Sequence, residues 1–115
     1  MDYTFTCERF DIRRTLFCGQ AFRWKELDGR FCGIAGGRYA EISDNGDSTY
    51  TVHGIEKSDI SYWQSYFDLD TDYDALIKQF SEDEHMKIAC KENPGIRVLR
   101  QEPFETLISF IISQN

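Results

Sequence analysis

Three glycine-containing dipeptides in the first half of this chain mark turns, and short segments lie between them. Such dipeptides favour the tight turns of β-hairpins, because glycine and asparagine adopt positive φ at little cost. The segments between the turns are rich in aromatic and β-branched residues, as strands usually are. Residues 1–55 therefore predict a meander of four or five antiparallel strands. The three turn dipeptides are Asp28-Gly29, Gly36-Gly37 and Asn45-Gly46.

The apolar spacing changes from that of strands to that of helices after Ser58. Ile60, Trp63 and Phe67 lie three or four residues apart, which places them on one face of a helix. A second helix is predicted by the same spacing over residues 73–80, and a third around residues 85–91. The turn-forming sequence from Asn93 to Gly95 is expected to end the third helix.

The final stretch, PFETLISFIISQN, predicts a helix that begins at Pro103. Proline suits the first turn of a helix, where its missing N–H would be unpaired anyway. Apolar side chains fall on most sides of this helix, so we expect it to need burial nearly all round. Its polar tip ends in Gln114 and Asn115, whose amides can mark a simple helix end or can reach base edges in DNA.

Acidic residues are concentrated in the middle of the chain. The formal net charge is −7, and taken alone it argues against a nucleic-acid partner, because DNA-binding faces usually carry a basic excess. Residues 56–92 alone contribute −6 of this charge, through ten acids and four bases. The two ends of the chain are nearly neutral and remain compatible with an anionic partner.

The sequence predicts no metal site. Its four cysteines form no C-x-x-C pair, and none stands at zinc spacing from His53 or His85. Cys7, Cys18 and Cys32 lie in apolar surroundings and are expected to be small core residues.

The acidic run DLDTDYD, residues 68–74, lacks the glycine and the final acid of an EF-hand loop. It is read instead as acids at a helix N-terminus, where they favour the helix dipole. Neither a signal peptide nor an apolar run long enough to span a membrane is found, so an intracellular, reduced protein is expected.

A Ser-His-Asp or Cys-His arrangement does not stand out, and His53 is interpreted as a surface or packing residue. The stretch LFCGQAFRW, residues 16–24, leaves two interpretations open. It is a plain turn into a strand, or Gly19 lets a ligand approach the backbone closely.

Two stretches together resemble the 8-oxoguanine DNA glycosylase family. CGQAFRW, residues 18–24, is similar to the family motif SGQ-x-FRW. GIRVLRQEPFETLISFIISQN, residues 95–115, is similar to the longer motif G-[IV]-R-[IVL]-L-R-Q-[DE]-P-x-E-x-L-x-S-F-I-x-S-x-N. The second match is long and specific. The order of strands and helices agrees as well, so the resemblance covers essentially the whole chain but only the N-terminal part of the family's usual length.

The resemblance implies an α+β fold, in which a twisted antiparallel β-sheet with flanking helices is similar to one repeat of TATA-binding protein. An all-α helix-hairpin-helix domain then starts at the end of the chain. On this basis residues 1–92 are expected to form the N-terminal domain. Residues 93–115 are expected to be the linker and first helix of a glycosylase domain that is otherwise missing.

The resemblance also assigns roles to particular residues. Gly19 would offer its backbone carbonyl to the N7–H of 8-oxoguanine, a hydrogen that guanine lacks. Asn115 would fill the gap left by the extruded base and contact the estranged cytosine, with Gln114 beside it at the DNA. Cys18 stands where the family commonly has serine, and Gln114-Asn115 stands where it has serine followed by asparagines.

The function implied by the resemblance is base-excision DNA repair. The intact protein would remove 8-oxoguanine opposite cytosine from double-stranded DNA and nick the strand as an AP lyase, with no cofactor. The family's catalytic lysine has no counterpart here, so the 115-residue chain is expected to be inactive. The lysines that do not match it are Lys25, Lys57, Lys78, Lys87 and Lys91.

A second hypothesis is a non-catalytic DNA- or protein-binding module built on the same sheet. Its terminal helix would then dock a partner. Because large exposed apolar patches seldom stay bare, this helix is also expected to drive self-association.

Overall fold

A computed structural model of the chain describes residues 1–92 and 95–114. The strands are β1 (Tyr3–Thr6), β2 (Trp24–Leu27), β3 (Arg30–Ala35), β4 (Arg38–Asp44) and β5 (Thr49–His53). The helices are α1 (Ile12–Phe17), α2 (Ile60–Tyr66), α3 (Tyr73–Phe80), α4 (Glu84–Glu92) and α5 (Pro103–Ser113). A short 3₁₀ turn, Lys57–Asp59, leads into α2.

The five strands form one antiparallel sheet in the order β1-β5-β4-β3-β2. Strands β2 to β5 make the predicted meander, and β1 closes it by pairing with β5. The predicted turns join these strands, and Gly29, Gly37 and Gly46 all have positive φ, at +78°, +74° and +83°. The α+β class and the antiparallel sheet predicted from the sequence are therefore confirmed.

The hydrophobic core lies between one face of the sheet and the helices. Ile42 and Val52 from the sheet are fully buried, as are Leu16 from α1 and Trp63 from α2. Aromatic rings fill most of this layer, and the indole nitrogen of Trp24 donates a hydrogen bond to the Tyr66 hydroxyl at 2.9 Å. Among the described residues, no helix is long and apolar enough to cross a membrane.

Helix α1 was not predicted, because the sequence pattern indicated strands throughout residues 1–55. This helix has only six residues, which is too few to show a clear helical period. It begins at the N-cap Asp11, whose carboxylate accepts from the Arg14 amide at 3.0 Å. Its burial against the sheet stabilises it, with Thr15 and Leu16 fully buried. Tertiary packing therefore decides this helix, as it does for most short helices.

The prediction for the cysteines was wrong at Cys18, which follows α1 and is exposed. Its position at the end of the unpredicted helix turns it away from the core. Cys7 and Cys32 are half-buried, and Cys7 packs against the core as expected.

Only part of the acidic run, residues 68–74, lies at the N-terminus of α3. Asp72 caps α3 by accepting from the Ala75 amide at 3.1 Å, and Asp74 lies in the first turn, as predicted. Asp68 differs, because it is buried with a φ of +54°. It belongs to a polar network described below.

Candidate functional site

Gly19 occupies the turn that follows α1. Its φ of +96° lies in the region that glycine adopts most easily, and it stands just after the C-cap residue Cys18. Gly19 is exposed, and a Cβ added there would have no atom within 4 Å. The backbone of Gly19 is therefore open to an approaching group, which favours the ligand interpretation left open by the sequence.

Gln20 joins this turn to the extended segment 95–101. Its side-chain nitrogen donates to the carbonyls of Thr15 and Arg97, at 3.1 and 2.7 Å. Its side-chain oxygen accepts from the Leu99 amide at 2.9 Å. Its own carbonyl accepts a hydrogen bond from the side chain of Gln101. The two motifs quoted from the sequence therefore meet at Gln20.

Thr15 makes a second link between α1 and the same segment. Its hydroxyl accepts from the Arg97 amide at 3.2 Å and lies 3.4 Å from the Gly95 carbonyl, to which it donates. Gly95 also accepts from the Asp11 amide at 2.8 Å. A Cβ on Gly95 would lie 2.6 Å from that amide nitrogen. Glycine is needed here because the two backbones approach so closely.

The side chain of Arg97 is turned into the protein rather than towards solvent. Arg97 is 5% exposed, and its guanidinium donates to the carbonyls of Asp68 and Arg9, at 2.7 and 3.0 Å. It also lies over the Tyr73 ring, 4.2 Å from the centroid. Arg97 therefore holds the segment in place and is not free to contact DNA.

A carboxylate network fixes the same segment from the other side. The Asp68 carboxylate accepts from Thr71, Tyr73 and Arg100, at 2.7, 2.7 and 3.0 Å. Burial pushes the pKa of Asp68 upward, but these three hydrogen bonds outweigh burial and leave the pKa below its usual range. Asp68 is therefore ionised at neutral pH and anchors the segment through Arg100.

The first turn of α5 is attached to the sheet through Glu105. Its carboxylate accepts from the Gly36 amide at 2.9 Å and pairs with Arg23 at 3.2 Å. Glu102, the residue just before α5, caps the helix by accepting hydrogen bonds from the Phe104 and Glu105 amides. The direction of α5 is therefore set by the β3–β4 turn.

Beyond this attachment, α5 is largely uncovered by the described residues. Phe104 and Ile112 are 69% and 66% exposed. Phe110 meets Phe22 edge to face at 5.2 Å between ring centroids. Phe22 lines an open apolar groove together with three residues of α5, Phe104, Ile108 and Ile112. The predicted demand for burial on most sides is thus unmet within the described part of the chain.

One of the two residues expected at the DNA lies at the end of α5. Gln114 is the C-cap residue and is exposed. Asn115, the other residue expected there, lies outside the described residues. Within residues 1–92 and 95–114, no hydrogen bond or ion pair joins Gln114 to Gly19.

His53 lies between two hydrogen-bond partners on the open face of the sheet. Ser43 Oγ is 2.7 Å from its Nε2, and an Asp2 carboxylate oxygen is 3.0 Å from its Nδ1. This Ser-His-Asp chain was missed in the sequence because its members come from distant positions. A serine nucleophile needs donors gathered around the oxyanion, whereas the backbone here is engaged in pairing β4 with β5. The hydrogen bond between His53 and Asp2 ties the end of β5 to the start of β1, which is consistent with a packing role for His53.

Arginines on the surface are matched by acids. In the part of the chain that the structure describes, seven arginines form ion pairs, and Arg13 pairs with Glu26 through two of its nitrogens. These carboxylates partly neutralise the positive charge that a phosphate would meet on this surface. Among the described residues, no group of three histidines, cysteines or acids could hold a metal ion.

The protein-family model described as the N-terminal domain of 8-oxoguanine DNA glycosylase matches residues 3–107 of this chain. The matched region includes the sheet, the Gly19 turn, segment 95–101 and the first half of α5. The chain therefore belongs to the 8-oxoguanine DNA glycosylase family.

Solved structures give the same result. The apo-form of the 8-oxoguanine glycosylase/lyase of Clostridium acetobutylicum is 36% identical and superimposes with a TM-score of 0.89 over 99% of this chain. The same enzyme, in complex with double-stranded DNA containing cytosine opposite 8-oxoguanine, is 38% identical with a TM-score of 0.84 over 94% of this chain. MBOgg1 in complex with a low-affinity DNA ligand is 39% identical with a TM-score of 0.84 over 93%. This chain spans only 37–41% of the length of these three chains.

Sequence reasoning gave no role to Gln20 or Glu105 and placed Asp68 among the acids at a helix N-terminus, although each of the three holds parts of the site together. Gln20 and Glu105 lie inside the two motifs, and that position was the available signal. Their partners outside the α1 turn are 69 to 82 residues away in the chain, so no local pattern could reveal these contacts.

Proposed function

We propose that the intact protein is an 8-oxoguanine DNA glycosylase and AP lyase of base-excision repair, which acts on DNA inside the cell. The observation that carries this proposal is the exposed Gly19 turn, joined through Gln20 to the segment that leads into α5. Double-stranded DNA with 8-oxoguanine opposite cytosine is the proposed substrate. Membership of the family supports the reaction class.

The Gly19 carbonyl is proposed to distinguish the damaged base from guanine. 8-Oxoguanine carries a hydrogen on N7 and donates to the carbonyl, whereas guanine presents a lone pair there. An unpaired polar group in a closed pocket costs about 1–3 kcal/mol. The exposure of Gly19 and the open space around it support this role.

Gln114 and Asn115 are proposed to face the DNA from the end of α5. Glycosylases extrude their target base, and the gap must be filled. Asn115 is proposed to fill it and contact the unpaired cytosine.

The domain boundary near residue 93 stays a prediction. Segment 95–101 lies against the first domain, with Arg97 and Leu99 buried.

Catalysis is proposed to reside outside these 115 residues. A lysine nucleophile must be shielded and its pKa tuned. The lysines Lys25, Lys57, Lys78, Lys87 and Lys91 are all exposed. A purified 115-residue polypeptide should release no 8-oxoguanine from duplex DNA, and turnover by that sample would contradict this part of the proposal.

The carbonyl role is tested in the intact protein with Gly19→Val. We expect the excision rate for 8-oxoguanine relative to guanine to fall about tenfold or more, as losing one polar contact predicts. Gly46→Val, in the β4–β5 turn, is the matched control because its φ is also positive, at +83°. Unchanged preference in Gly19→Val, with the protein folded, would contradict the role.

The second candidate function, a protein-binding module, is favoured by one observation, the exposed apolar surface of α5. The 115-residue polypeptide is proposed to self-associate through this surface. Light scattering should show a mass that rises with concentration, and Ile112→Lys should lower it to that of a monomer. A monomer at all concentrations before substitution would exclude self-association.

A further inference from the structure

We propose that Gln20 is a positioning residue that fixes the direction of the Gly19 carbonyl and thereby the preference for the damaged base. The inference rests on the proposed function of Gly19. The added residue, Gln20, does not have to contact the base, because it acts only through the neighbouring Gly19.

Gly19 cannot hold its own carbonyl in one direction. It has no side chain, it is exposed, and no atom stands within 4 Å of the position of a Cβ. A glycine without packing samples a wide range of φ and ψ. The residue before it, Cys18, is exposed as well, with its thiol 3.6 Å from the Thr15 carbonyl. Gln20, which follows Gly19, has more hydrogen bonds to buried residues than Cys18 and supplies the stronger constraint.

The Gly19 carbonyl belongs to the same planar peptide unit as the nitrogen and Cα of Gln20. Immobilising Gln20 therefore immobilises one end of the plane that contains this carbonyl. Four hydrogen bonds hold the side chain of Gln20, one of them a 3.5 Å contact with the Cys18 sulfur, and a fifth, from Gln101, holds its carbonyl. These bonds fix the Gln20 Cα, so they restrict the displacements of the Gly19–Gln20 peptide that would move this atom.

The partners of Gln20 are themselves rigidly placed. Thr15 is fully buried in α1, and Arg97 and Leu99 are each 5% exposed. The amide of Gln20 thus spans two buried backbones and uses its oxygen and its nitrogen at once. Only glutamine offers a donor and an acceptor at that reach, since glutamate would set a carboxylate against two carbonyl oxygens.

The test is single-turnover excision by the intact protein carrying Gln20→Met, which keeps the length of the side chain and removes its hydrogen bonds. We expect the ratio of the 8-oxoguanine rate to the guanine rate to fall about fivefold to tenfold. A loss of folded protein lowers both rates by one factor and leaves their ratio unchanged. The ratio therefore separates positioning from folding.

Gln64→Met is the matched control, because Gln64 also makes a partly buried side-chain hydrogen bond, to the Tyr3 hydroxyl at 2.7 Å. Its ratio should stay at the wild-type value. Gln101→Met is the milder second variant for use if Gln20→Met does not fold. It removes only the bond to the Gln20 carbonyl, and the ratio should again fall, by a smaller factor.

The outcomes separate the two proposals. A reduced ratio in Gln20→Met or Gln101→Met, with Gln64→Met unchanged, supports the inference. A wild-type ratio in the folded Gln20 variant, or in Gln101→Met where that variant is needed, overturns this inference alone. No excision by the wild-type intact protein overturns the proposed function and this inference with it.

Discussion

Glu105 accepts a hydrogen bond from the Gly36 amide at 2.9 Å, which joins the first turn of α5 to the β3–β4 turn. The same carboxylate pairs with Arg23 at 3.2 Å. These contacts connect residues that are 69 and 82 positions apart in the chain. They set where α5 starts and, through the helix axis, where Gln114 is presented.

Replacing Glu105 by alanine should loosen α5 from the sheet. Loss of one hydrogen bond and one partly exposed ion pair predicts a cost of about 1–2 kcal/mol. Amide hydrogen exchange should accelerate along α5 and much less in the sheet. Glu84→Ala is the control, because Glu84 is likewise an acid in a first helical turn, that of α4. Equal exchange in both variants would contradict the attachment.

Replacing Gly33 by alanine should disturb the core directly. Gly33 pairs with Trp24 across β2 and β3, and an added Cβ would lie 2.3 Å from the indole ring. We expect a loss of about 3 kcal/mol, at the upper end of overpacking costs, with a changed near-ultraviolet circular dichroism spectrum.

Gly29→Ala provides the comparison for Gly33. Gly29 has a φ of +78° but no atom within 4 Å of the added Cβ. Its substitution should cost about 1–2 kcal/mol from backbone strain alone, with an unchanged spectrum. Identical spectra for the two variants would show that the indole does not approach Gly33 closely.

Asp68→Asn should destabilise the protein at neutral pH but not in acid. The pKa of Asp68 is raised by burial and lowered more by its hydrogen bonds, so the net folded pKa lies below the ordinary value of 3.8. A lowered folded pKa stabilises the protein above about pH 4 and loses that contribution as pH falls further. Asparagine suits the test because it tolerates the positive φ of this residue.

We expect the wild type and Asp68→Asn to differ by about 1–3 kcal/mol at pH 7 and to converge as pH falls through the folded pKa of Asp68, which lies below 3.8. Urea unfolding at a series of pH values measures the difference. Asp70→Asn, at an exposed position two residues on, should differ little from wild type throughout. A constant difference between wild type and Asp68→Asn across the pH range would contradict the network.

Buried tyrosines should make the protein sensitive to alkali. Burial raises the pKa of Tyr50 and of Tyr66 to about 12. Because their folded pKa exceeds the unfolded value of about 10, the stability they contribute is complete below about pH 10 and falls as pH rises towards 12. A phenolate absorbance titration should show these two groups ionising late.

Tyr66→Phe should lose the hydrogen bond from Trp24 and cost about 1–2 kcal/mol at pH 7. Its stability should then fall less than that of the wild type above about pH 10, because one buried phenol no longer has to ionise. Parallel curves for the two proteins would contradict the burial of Tyr66.

The sequence determined the meander, the helices after residue 58 and the two motifs that identify the family. These features follow from local causes: turn glycines, alternation, helical spacing and a proline at a helix start. The same local rules failed at α1, whose six residues are too few for a helical period, and at Cys18, which follows it. They could not indicate that Asp68 is buried, because its contacts include Arg97 and Arg100, 29 and 32 residues away.

Only the tertiary structure decided how the motifs act together. Gln20 contacts Leu99, and Glu105 contacts Gly36, across most of the length of the chain. Such contacts depend on where the folded sheet places each turn, which is information that no short window of sequence contains. The proposed role of Gly19 comes from its motif, whereas the proposed positioning by Gln20 comes from hydrogen bonds between distant segments, which only the folded structure shows.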